Sequence, residues 1–140
     1  MQDSILKKFP DTDISVSLVW VEMLPTDNRV AAENMAASIR DPRVVHYFDP
    51  RGARLAGGAF AKGIIREGAG PAWDVYFFYD KDAEWQHAPP GPAEWFHQLG
   101  GGTRADPRRF AAGVIGDKLH EAMHRLTHTN CEHPRIGGRP

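Results

Sequence analysis

Residues 14–24 (ISVSLVWVEML) restrict the fold more than any other stretch of this chain. The centre of the run is apolar on both faces and rich in β-branched side chains. Such a run predicts a strand covered from two sides, the pattern of a sheet sandwiched by helices. Pro25, Asp27 and Asn28 then turn the chain, and Asp27 or Asn28 is placed to cap a helix over 29–40 with Val30, Met35 and Ile39 near one face. Before the strand, Ser4–Phe9 carries apolar residues at 5, 6 and 9. That is a helical spacing, as of the last turns of a helix, ended by Pro10 and Asp11.

The alternation continues. Val44–Phe48 (VVHYF) predicts a second strand, Asp49-Pro50-Arg51-Gly52 a turn, and 54–65 a helix of small and apolar residues. Trp73–Tyr79 (WDVYFFY) is aromatic and β-branched, which marks an interior strand. Glu84-Trp85 is a candidate for resumed pairing. Residues 88–92 (APPGP) cannot donate a regular ladder and predict loop. Glu94–Leu99 predicts a last strand near an edge. Asp106 as cap and Pro107 as first residue predict a closing helix over 107–127, with Phe110, Val114, Leu119, Met123 and Leu126 at core spacing. The organisation expected is one α/β domain over 1–127 and a polar tail over 128–140.

Composition narrows the function classes. A chain of 140 residues, 41% hydrophobic and 25% charged, can bury a real core. Its net charge is −1 and no basic run stands apart from mixed-sign segments, so non-specific binding to nucleic acid or membrane surfaces has little electrostatic support, and neither is expected as a partner. No apolar run approaches the ~18 residues of a membrane span. Met1–Pro10 lacks the apolar region of a secretory signal. Cys131 is the single cysteine, so no intrachain disulfide exists. A cytoplasmic location is the expectation.

The order (end of α)-β-α-β-α-β-β-α resembles the thioredoxin-like superfamily, in its bacterial redoxin branch. Val16–Met23 with its turn and helix is similar to the redoxin strand that follows the active-site helix. VVHYFDPRGARLAGGAF (44–60) is similar to a strand, Asp-Pro-x-Gly turn and helix of that branch. WDVYFFYDKDAEW (73–85) with WFHQLGG (95–101) is similar to its closing hairpin. Asp-Pro-Arg-Val (41–44), Trp-Asp-Val-Tyr (73–76) and His-Gln-Leu-Gly (97–100) resemble segments of bacterial thioredoxin-like proteins. The resemblance covers roughly 4–110 and implies a mixed β-sheet flanked by helices, with Trp73–Tyr79 beside Val16–Val21 in one sheet. It also implies a thiol–disulfide oxidoreductase whose Cys-x-x-Cys lies ahead of Met1, in an N-terminal βα unit missing from or truncated in this sequence. The redoxin proline that faces the cysteines would fall at Asp74, and Pro71 is three residues early. Two readings therefore stand: a redoxin-fold module without thiol chemistry of its own, or an oxidoreductase completed by upstream sequence.

Other constellations carry chemistry of their own. His120-Glu121-Ala122-Met123-His124 spells HExxH. On a helix it sets two imidazoles on one face for zinc, with the glutamate to polarise a bound water, as in a small zinc-dependent hydrolase. His128 continues the stripe, and Cys131 and His133 follow it. The competing reading is a solvated histidine face, since no later helix supplies a third ligand. Asp74 and His97 form a candidate acid–base pair at one end of the sheet, against a structural reading of both. Trp85 and Trp95 suggest an exposed docking patch, and an unpaired sheet edge suggests a homodimer.

Overall fold

The computed structural model of the protein describes residues 2–50, 55–65, 70–99 and 106–129. Among the described residues, four strands and three α-helices follow the predicted order: β1 Val16–Val21, α1 Arg29–Ala36, β2 Val44–Asp49, α2 Ala56–Phe60, β3 Val75–Phe78, β4 Glu94–His97 and α3 Ala112–Thr129. The architecture is mixed α/β. The predicted single sheet is replaced by two pairs. β1 runs parallel to β2, with Val16 opposite Val44 and Val21 opposite Asp49, and β3 runs antiparallel to β4, with Val75 opposite His97 and Phe78 opposite Glu94. Trp73–Tyr79 thus pairs with the last strand and not with Val16–Val21.

The N-terminal turn, Gln2–Leu6, is helical but wide: the Lys7 N–H reaches the Gln2 carbonyl, five residues back, at 3.1 Å. Ile5 and Leu6 are buried. Arg43 ties this turn to β2. Its guanidinium donates to the Leu6 carbonyl at 3.0 Å and to the Phe9 carbonyl at 2.5 Å, and it is oriented by Asp41 at 2.7 Å. A cation on the last carbonyls of a helical turn satisfies acceptors that have no partner within it. The Arg43 contact in turn holds the Asp41 carboxyl down at about 2.

α1 begins where Asn28 accepts the Ala31 N–H at 3.0 Å, the cap its sequence predicts, but it ends at Ala36, short of Arg40. Ser38 Oγ donates to the Met35 carbonyl at 2.6 Å, and the short polar side chain competes with a further turn. The residue α1 buries is Ala32, whereas Val30 and Met35 are exposed. Arg29 lies over the Phe48 ring at 4.8 Å, so α1 covers the even-numbered face of β2. The opposite face, carrying Val19, Val45 and Tyr47, is exposed.

The hairpin is covered on both faces. Tyr76, Phe78 and Phe96 face α3, where Ile115, Leu119, Ala122 and Met123 form a core with Ile5. The i, i+4, i+7 spacing of 115, 119 and 122 makes that stripe. Val114, expected in the core, sits off it and is exposed. On the other face, Phe77 stacks on Phe60 of α2 with ring centroids 5.0 Å apart. Trp85 closes the edge of this layer against Phe60 at 5.9 Å and Tyr79 at 5.0 Å, without resuming strand pairing.

α3 starts five residues later than Asp106-Pro107 predicts. Residues 108–110 run beside the end of β4 instead: the His97 N–H donates to the Arg108 carbonyl and the Phe110 N–H to the His97 carbonyl, both at 3.0 Å. Asp106 caps that turn, accepting the Arg108 N–H at 2.9 Å.

Candidate functional site

β4 delivers His97 into the interior, 1% exposed, at the point where residues 108–110 join the sheet. Its Nδ1 accepts the Leu99 N–H at 3.1 Å, which assigns the ring proton to Nε2. Nε2 has no hydrogen-bond partner among the described residues, and the Asp106 carboxylate stands 3.9 Å away. Asp106 is itself held by Arg108, Nε to Oδ1 at 3.0 Å, and the Arg108 guanidinium lies over Trp95 at 4.1 Å. Arg109 Nε donates to the Leu99 carbonyl at 2.7 Å.

Burial pushes His97 below the ordinary imidazole range, Arg108 and Arg109 push the same way, and Asp106 opposes them. Asp106 is lowered despite its partial burial, because Arg108 bonds its carboxylate. Both ring nitrogens are turned inward, so this geometry stores an imidazole and does not present one to a substrate. The predicted Asp74–His97 acid–base pair is not assembled. Asp74 is exposed, and its contribution is backbone: its carbonyl accepts the Gln98 N–H at 3.0 Å, with its own φ at 51°. Aspartate enters that left-handed region more readily than most residues. The true carboxylate neighbour, Asp106, was hidden by a plausible helix-cap reading of Asp106-Pro107.

The α3 histidines separate by environment. The His120 ring lies against Phe9, centroids 5.0 Å apart, and its buried Nδ1 has no hydrogen-bond partner among the described residues. Glu121 is bonded to Lys118 Nζ at 2.7 Å, which lowers its carboxyl below the usual range. His124 stacks on His128. Among the described residues, no group of three or more His, Cys, Asp and Glu side chains is positioned to hold a metal ion. Cys131 and His133 lie outside the described residues. His120 and His124, the metal pair expected from HExxH, therefore have different neighbours: an aromatic ring for the first and another imidazole for the second.

The suggested Trp85/Trp95 patch is not a pair of exposed rings. Trp85 is exposed, but Trp95 is buried beneath Arg108. The more open surface belongs to β1. The Val16 N–H donates to the Arg43 carbonyl at 2.9 Å, so in a parallel ladder the N–H groups of Leu18 and Trp20 also face β2 and those of Ser17, Val19 and Val21 face the other edge. Among the described residues, no strand pairs with that edge. No charged residue or proline interrupts Ser15–Val21, the usual devices that discourage pairing. A cleft of about 440 Å³ lies between the N-terminal turn and the α1–β2 connection, lined by Leu6, Lys7, Arg40 and Asp41 among others, away from every residue that HExxH or the hairpin singled out. No described helix is long and apolar enough to cross a membrane. No family model, no characterised protein and no solved structure matches this chain.

Proposed function

We propose that this chain is a thioredoxin-like scaffold without a thiol pair of its own, whose β1 edge accepts a βα unit carrying a Cys-x-x-Cys. The observation that carries this reading is the pairing. Among the described residues no strand pairs with the outer edge of β1, and a redoxin-type sheet needs one further strand. The N-terminal turn supports it: Ile5 and Leu6 are already buried, and Arg43 anchors the turn to β2. Disulfide exchange requires a thiolate nucleophile and a partner sulfur to resolve the mixed disulfide, and a lone Cys131 lacks the second. On this reading the redox function belongs to the completed sheet, and the 140 residues supply the platform.

The test joins a strand–turn–helix bearing Cys-x-x-Cys ahead of Gln2 and follows dithiothreitol-driven reduction of insulin. The unfused chain is expected to give no turnover above background and the fused chain measurable turnover. Turnover by the unfused chain that disappears in Cys131→Ser would overturn the proposal. A folded fusion whose cysteines react with a thiol reagent but show no turnover would do the same.

A further inference from the structure

The last turns of α3 place two imidazoles in register. His124 and His128 are exposed and one helical turn apart, and their rings lie 3.8 Å apart at an interplanar angle of 9°. The Nδ1 of His128 sits 2.8 Å from the His124 carbonyl oxygen. A carbonyl only accepts, so that nitrogen carries a proton and donates, and in the neutral ring the lone pair is on Nε2 of His128. A backbone carbonyl holding one ring N–H, with the other nitrogen free, is the arrangement that orients metal-binding imidazoles. The neighbouring charges do not compete for the site: Lys118 is bonded to Glu121, and Arg125 to Glu94 at 2.6 Å.

We propose that His124 and His128 form a bidentate site for a borderline divalent cation such as Zn²⁺ or Ni²⁺. Nε2 of His128 and one ring nitrogen of His124 are the ligands, and water fills the remaining positions. Imidazole suits both ions, and the formed helix already holds the two ring-bearing positions one turn apart. The stacked rings are parallel, so their in-plane lone pairs do not meet at one point; with His128 held by the carbonyl, the exposed His124 ring turns out of the stack to complete the site. The site shares His124 with the HExxH motif but replaces His120, whose ring packs on Phe9. It does not depend on the thioredoxin-like reading.

The test titrates ZnCl₂ and, separately, NiCl₂ into the full chain by calorimetry. One equivalent is expected to bind. His124→Ala and His128→Ala should each weaken it by roughly 100-fold, the loss of an intramolecular second contact. Both positions are exposed, so far-UV circular dichroism should not change. His120→Gln should leave the affinity as it is. In the unsubstituted protein, sub-stoichiometric Ni²⁺ should broaden the imidazole resonances of His124 and His128 before all others, a readout that needs no variant to fold. Equal affinity in His124→Ala, or broadening that begins at any other histidine, would overturn the proposal.

Discussion

The two strand pairs of this protein are similarly apolar and have opposite fates. The β3–β4 hairpin is covered on both faces, by α3 on one and by Phe60, Trp85 and Arg108 on the other. The β1–β2 pair is equally apolar, yet β1 has no buried residue, and Val19, Val45 and Tyr47 stand open on one face. Apolar sequence predicts that a strand wants cover. It does not say whether the cover comes from elements within the same chain. Among the described residues the hairpin is satisfied internally, and the parallel pair has one face and one edge to spare.

Core truncation should separate the two regions by the largest margin. Leu119 is fully buried under the hairpin, and Leu119→Ala is expected to cost about 2–5 kcal/mol of unfolding free energy. Leu18 on β1 is only half-buried, so Leu18→Ala should cost roughly 1 kcal/mol or less. Urea unfolding of both variants measures the difference, and equal costs would mean that β1 is packed as well as the hairpin.

A smaller effect should appear on acidification, again confined to the hairpin. His97 is held below its ordinary range by burial, so between the free-imidazole value of ~6.5 and its depressed value the unfolded chain binds more protons than the folded one. Stability is then full above pH ~6.5 and falls as the pH drops through that window. His97→Gln, which removes the titrating group, should flatten this part of the curve. Protonation also removes the lone pair that accepts the Leu99 N–H, so the Leu99 amide is the one whose hydrogen exchange should accelerate as the imidazole charges.

Much of the architecture was legible in advance. Strand positions, the Asn28 cap and the element order follow from periodicity and turn chemistry, because those act over a few neighbouring residues. What escaped was set by distant partners. Val30 and Met35 have the apolarity of a core face but are exposed, with no second layer over them among the described residues. Asp106-Pro107 has the composition of a helix start, yet bonds from residues 108–110 to His97 claim that segment first. The role of Arg43 was invisible, since it depends on two carbonyls more than thirty positions earlier in the chain. The HExxH spacing was plain, but whether His124 faces His120 or His128 is decided by Phe9 and by a helix that runs on to Thr129.

Residue-resolved hydrogen exchange on the isolated chain tests the open edge most directly. The amides of Leu18 and Trp20, which face β2, should be protected, while those of Ser17, Val19 and Val21 on the same strand should exchange freely, and protection at these three should appear when the Cys-x-x-Cys unit is joined ahead of Gln2. Uniform protection along β1 in the isolated chain would show that its second edge is already paired and would contradict the account.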